Sequence, residues 1–180
     1  MTPLPEILEA LLAGTSLAAA GLDLYSRRIP NWLTAPVTLL AFLLHFQIGR
    51  WAGLRRAALG CGVALLVYLP LFAMRAMGGG DVKLMAAVGA IAGTQNWFAI
   101  FLITSLMGGV IAIVVVLFRG MTMQTFHNIG HILTELAHLR PPYASRKDLD
   151  VGSARATRLP HGAVIAFASL LFLAWSRGSH

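Results

Sequence analysis

Asp23 and Asp81 are the residues whose type and position could do chemistry. Each is an acid at the edge of a long apolar segment, about one helical turn or a little more inside the nearest basic residue. Ionisable groups at membrane depth are expensive and are functional candidates by default. Asp23 precedes Arg27 by four residues, so it lies about 6 Å deeper along a helix, and Asp81 follows Arg75 by six. Both thus reach one side of a bilayer at a comparable depth. Two carboxylates sharing a site form an acid–base pair. The ionised one takes a proton from water while the protonated one polarises a carbonyl. This is chemistry for cutting a peptide bond, and it requires no metal and no cofactor. A structural reading fits the same spacing: Asp23 as the i,i+4 partner of Arg27, and Asp81 as an acid at a helix N-terminus. Spacing alone leaves both open.

The elements that must position these acids are membrane helices. The 180 residues suffice for one domain covering 1–180; they are 57% hydrophobic and 12% charged, with a mean hydropathy of +0.73. A soluble domain would carry about 25% charged residues. Runs 32–49, 57–74 and 160–176 are free of charge or nearly so, and each is close to the roughly 20 residues of a transmembrane helix. Run 84–118 carries no charge and is too long for one span; Gly93-Thr94-Gln95-Asn96 is a turn signal that divides it. A weaker first span, 5–22, carries Glu6 and Glu9 in its first turns. The expected fold class is all-α, a polytopic membrane protein with about six transmembrane helices. The N-terminal segment has acids and no basic n-region, so it reads as a retained helix and not as a cleavable signal. Residues 177–180 (Arg-Gly-Ser-His) could belong to an expression tag.

Charge sets the expected orientation. With the N-terminus outside, Arg27, Arg28, Arg75, Lys83, Arg119, Arg140, Arg146, Lys147, Arg155 and Arg158 are cytoplasmic, against Arg50, Arg55, Arg56 and Arg177 outside. The same bias accounts for the net charge of +7 without nucleic acid, which would want basic residues on one surface with aromatics among them. Segment 119–159 is then a cytoplasmic loop. In its first half Phe126, Ile129, Leu133 and Leu136 recur at helical spacing, which predicts an amphipathic helix in the headgroup layer between helices 5 and 6. Its second half, 140–158, is rich in Pro, Ser, Arg and Asp and suits either an anionic lipid surface or a plain connector. Cys61 is alone and reads as a packing residue.

Three glycines precede Asp81. Residues 84–93 are too few to cross a core of about 30 Å, so the fourth helix begins near 78–81. In a helix interior each of Gly78, Gly79 and Gly80 would cost about 1 kcal/mol relative to alanine. They suit backbone that bends or closely approaches another chain, of which a peptide substrate is one. Gly89 and Gly93, at GxxxG spacing, and Gly60, Gly62, Gly108 and Gly109 are smooth packing surfaces.

Gly78-Gly79-Gly80-Asp81-Val82-Lys83-Leu84 resembles the GxGDxKL segment of the type IV prepilin peptidases. Asp23 followed by Arg28-Ile29-Pro30-Asn31 resembles that family's other signature, an aspartate shortly before an IPN turn. Leu159-Pro160-His161-Gly162 resembles the Pro-aromatic-Gly opening of its last helix. The resemblance covers most of the chain. It implies catalytic roles for Asp23 and Asp81, with Gly78, Gly79, Gly80, Lys83, Pro30 and Asn31 as motif residues where substrate backbone approaches. It implies removal of a short basic leader from prepilins or pseudopilins at the cytoplasmic face of the bacterial inner membrane, with the lipid bilayer and pilus assembly machinery as further partners. The chain lacks the cysteine-bearing insertion of the larger bifunctional members, which leaves N-methylation outside the expectation. Its size is similar to the peptidases of tight-adherence (Flp-type) pili. His161 stands where tyrosine is more usual, either as a pH-sensitive contact or as a plain substitution.

Other chemistries fit less well. His127, His131 and Glu135 share a helix face, but Asn128 holds the place of the HExxH glutamate that would act as base. Ser105 has no evident histidine partner for a serine protease. A transporter or channel could use the two aspartates as ion sites, although no inverted repeat of spans stands out. Charge repulsion and the glycines would also permit a resting state with the aspartates apart.

Overall fold

The computed structural model describes residues 3–75, 77–120, 123, 125, 127, 130, 134 and 161–178. Its elements are helices: α1 (Glu6–Ser26), α2 (Asn31–Ala73), α3 (Gly79–Phe118) and α4 (His161–Gly178). All four are long and apolar enough to cross a membrane. A helix satisfies its own backbone in lipid, as a membrane span requires.

Glu6 and Glu9 stand in the first turn of α1, where acids complement the helix dipole. The helix stops at Arg27, whose left-handed backbone (φ 51°, ψ 32°) turns its N–H onto the Asp23 carbonyl at 2.9 Å. Pro30 then opens α2 from an extended conformation. It suits this position because its missing N–H would find no helical acceptor there.

α2 has 43 residues and α3 has 40, so straight helices would run about 60 Å, twice a bilayer core. Each is broken once. Arg50 (φ 50°, ψ −135°) separates arms 31–49 and 51–73, and Gly93 (φ 72°, ψ 169°) separates 79–92 and 94–118. The first break folds the chain back, since Gly53 lies directly against the His45 carbonyl. In a straight helix those residues would be about 12 Å apart. Gly93 is a natural helix terminator because its positive φ carries no Cβ penalty. His45 Nε2 lies 3.0 Å from the Ile91 carbonyl, one of the oxygens orphaned by that break.

Close backbone contact joins α2 to α3. A Cβ on Gly60 would overlap the Gly89 carbonyl, and one on Gly89 would overlap that of Gly60. Nearer Asp81, Tyr68 packs edge-on against Trp97 and Phe101, which stack at 5.3 Å between centroids. α4 closes the bundle against α1 and α3. At one end of the α1–α4 pair, Arg177 Nε donates to Glu9 Oε2 at 2.8 Å, giving a residue of the suspected tag a partner within the fold.

Three details differ from the sequence expectations. α1 continues to Ser26, beyond residue 22, and the second arm of α2 is helical from 51, before the charge-free run begins at 57. Long basic side chains such as Arg55 and Arg56 extend out of a helix without ending it. The turn expected over four residues shrinks to Gly93, because Thr94, Gln95 and Asn96 are helical. Phe126, Ile129, Leu133 and Leu136 lie outside the described residues, as does 140–158.

Candidate active site

Three short segments meet around Asp23 and Asp81. The first is the loop between α1 and α2, the second the opening of α3, and the third the opening of α4. Asp23, in the last turn of α1, is 6% exposed. Its Oδ2 accepts the backbone N–H of Ala163 at 3.1 Å. Arg27 meets Asp23 through the backbone, so burial against α4 and not an i,i+4 ion pair organises this carboxylate.

Asp81 is the third residue of α3, with extended Gly78 at the N-cap position. The Asp81 N–H donates to the Gly78 carbonyl at 3.2 Å, and its side-chain Oδ2 would lie 3.3 Å from a Cβ on Gly78. The half-buried carboxylate interacts electrostatically with Asp23 and with the buried Tyr68.

The glycines before Asp81 accommodate neighbours within this chain. A Cβ on Gly79 would come within 3.2 Å of the Phe72 ring. One on Gly80 would meet Ile29 at its Cβ, N and O, between 3.2 and 3.4 Å. The close approach expected of these residues is therefore already made by Ile29 and Phe72. Two residues beyond Asp81, Lys83 Nζ donates to Asn31 Oδ1 at 2.8 Å, tying the opening of α3 to that of α2.

The opening of α4 completes the cluster. A Cβ on Gly162 would lie 2.7 Å from Ile29 Cδ1 and 3.0 Å from Asp23 Oδ2. His161 interacts electrostatically with Asp23, and its Cε1 lies 3.6 Å from the Cβ position of Gly108. In a straight α3, Gly108 and Asp81 would be about 40 Å apart. The break at Gly93 brings arm 94–118 back to this end of the molecule.

All the sequence-expected motif residues thus fall in one neighbourhood: Asp23, Pro30, Asn31, Gly78, Gly79, Gly80, Asp81 and Lys83. Sequence reasoning missed Ile29, Tyr68 and Ala163 as neighbours of the carboxylates. Ile29 and Gly162 did carry a signal, since both stand inside motifs quoted for other residues. Tyr68 and Ala163 carried none. Of the alternative ligand face, His131 and Glu135 lie outside the described residues, and His127 is exposed.

A sequence model described as the type IV leader peptidase family matches residues 10–113, more than half of the chain and including both aspartates. A protein of Xanthomonas campestris pv. campestris, named prepilin leader peptidase/N-methyltransferase, is 30% identical over 116 residues. Proteins of the same name from Aeromonas salmonicida and Aeromonas hydrophila are each 33% identical over 117 residues. Each alignment takes in 61% of this chain and 40% of the relative, so the chain spans about two fifths of the length of the curated relatives it matches. No solved structure matches. On the extent of that family match and the meeting of its two aspartate-bearing segments in space, this chain belongs to the type IV leader peptidase family.

Proposed function

We propose that this chain is an intramembrane aspartic endopeptidase that removes the leader from prepilins or pseudopilins, with Asp23 and Asp81 as its acid–base pair. The observation that carries the reading is the convergence of the two aspartate-bearing segments, 58 residues apart in sequence, where Gly80 packs on Ile29 and Lys83 bonds Asn31 in a cluster built from motif residues. One carboxylate accepts a proton as water attacks the scissile carbonyl, while the other donates its proton to the carbonyl oxygen. The tetrahedral diol then collapses: the C–N bond breaks, the leaving amine takes the proton held by the first carboxylate, and a hydroxyl proton of the diol returns to the second. The leader leaves with a new carboxyl terminus and the pilin helix with a new amino terminus.

The breaks at Arg50 and Gly93 support six spans, each α2 and α3 arm crossing once. Ten basic residues against four support an outside N-terminus in the inner membrane. The reacting pair would then face the cytoplasm, as would the 119–159 loop with its amphipathic half. Lys83, Asn31 and Pro30 frame the entry for substrate backbone beside Asp81, while Gly79 and Gly80 seat Phe72 and Ile29 behind it. The same reading has it act as an Flp-type peptidase beside the pilus assembly machinery.

The test is co-expression with a prepilin from the same genome, following leader loss by mass. Wild type should cut, whereas Asp23→Asn and Asp81→Asn should insert normally and leave the precursor intact. Cleavage by either variant would refute the pair. Proton flux lost in both variants, with no cleavage by wild type, would point instead to an ion-conducting role.

A further inference from the structure

The opening of α4 lies outside the matched family region, yet it supplies a hydrogen bond to the side chain of Asp23. Ala163 is the third residue of α4, and the first four N–H groups of a helix have no acceptor within it. One of these orphan donors is spent on Asp23 Oδ2, at 3.1 Å. Such proximity leaves a side chain at residue 162 short of room. A Cβ there would press on Ile29 Cδ1 at 2.7 Å and on Asp23 Cγ at 3.1 Å. Ile29 has little room to yield, because its other side is packed on Gly80, where a Cβ would come within 3.2 Å. The Gly80–Ile29–Gly162 stack therefore links the support of Asp81 to the support of Asp23.

We propose that Gly162 and Ala163 are positioning residues for the reaction: Gly162 lets α4 close on Asp23, and the Ala163 N–H fixes its carboxylate by holding Oδ2. Oδ1 is then left to exchange a proton with water. This rests on the reading of Asp23 as catalytic. Orientation errors of about 1 Å can cost about 10²-fold in rate, so one hydrogen bond that fixes a rotamer carries kinetic weight.

The chemistry allows a selective test. Ala163→Pro deletes the donor without costing α4 a helical hydrogen bond, because that N–H is an orphan. The preceding glycine eases the clash that proline imposes on the residue before it. Ala163→Gly keeps the N–H. Enzyme and prepilin are reconstituted together in liposomes and initial rates are measured. Ala163→Pro and Gly162→Val should lower kcat about 10²-fold with KM little changed, while Ala163→Gly retains activity. A second readout is independent of turnover. The Ala163 amide proton resonance in detergent-solubilised protein should move upfield in Asp23→Ala, as its charge-assisted bond is lost.

An unmoved resonance overturns the proposal whatever the kinetics show. Wild-type kcat in Ala163→Pro overturns it too, and leaves the peptidase reading standing so long as Asp23→Asn is inactive. Cleavage by Asp23→Asn removes the peptidase assignment of Asp23 and the positioning role together.

Discussion

Asp23 and Asp81 are one residue type in two settings. Asp23 is buried, and a neighbouring helix's backbone holds one of its oxygens. Asp81 is half-buried in the first turn of its own helix, with glycines at its back. The environment of Asp23 is built by contacts over 140 residues of sequence and that of Asp81 largely by adjacent ones. The two should therefore differ in tolerance. Replacement by asparagine should cost about 10² to 10⁴-fold in cleavage at either position, as loss of a general acid or base does. Replacement by glutamate should separate them. Asp23→Glu forces an extra methylene into the space against Gly162 and Ile29, and it should lower thermal stability by about 1–3 kcal/mol as well as activity. Asp81→Glu has more room and should fold like the wild type. Melting of the purified variants, run beside the cleavage assay, checks both; equal stability losses would mean that the packing around Asp23 is looser than its contacts indicate.

At the scale of elements, the arms of α2 and α3 pack through glycines and not through interlocking large side chains. Van der Waals fit drives helix association in lipid, where no hydrophobic gain remains between helices. Gly60 and Gly62 give a controlled comparison. Gly60→Leu puts a side chain into the Gly89 backbone and should separate the helices, with a cost of about 1–3 kcal/mol or more. Gly62→Leu meets open space and should leave the melting temperature close to wild type. A second pair concerns Lys83 and Asn31, whose bond crosses from α3 to α2. Lys83→Met and Asn31→Ala should each lose about 1 kcal/mol or less and the double variant no more than either, as a double-mutant cycle in unfolding would reveal. These contacts explain the limits of sequence reading. Hydropathy located the apolar runs and Gly93 announced a break, since both are local properties. The partner of each glycine was not legible, because Gly60 with Gly89 and Gly80 with Ile29 are tertiary contacts. Helix ends were misjudged at Ala57 for a related reason: hydropathy records where the charge begins, whereas the helix continues through arginines whose side chains extend away.

For the whole molecule, the folding back of α2 at Arg50 and of α3 at Gly93 determines which ends of the helices lie together. Asp23, Pro30, Asp81 and the opening of α4 gather at one end, while Arg50 and the Glu9–Arg177 pair belong to regions about a helix length away. The distribution of basic residues was legible in the sequence and underlies the proposal that the aspartate end faces the cytoplasm; the convergence of α4 on Asp23 was not legible, since a helix opening carries no address for its partner. The assignment is testable because Cys61 is the single cysteine, so Cys61→Ser gives a clean background. Into it, Ser26→Cys marks the aspartate end and Ala52→Cys the opposite end, both at exposed positions. Ser145→Cys marks the loop. A membrane-impermeant maleimide applied to right-side-out vesicles should label position 52 alone, and inverted vesicles should label 26 and 145. The reverse pattern would put the carboxylates on the outer face, away from newly made precursors, and a cytoplasmic leader peptidase would be untenable. Labelling of 26 and 52 from one side would mean that the first arm of α2 does not cross, and the six-span arrangement would fall with it.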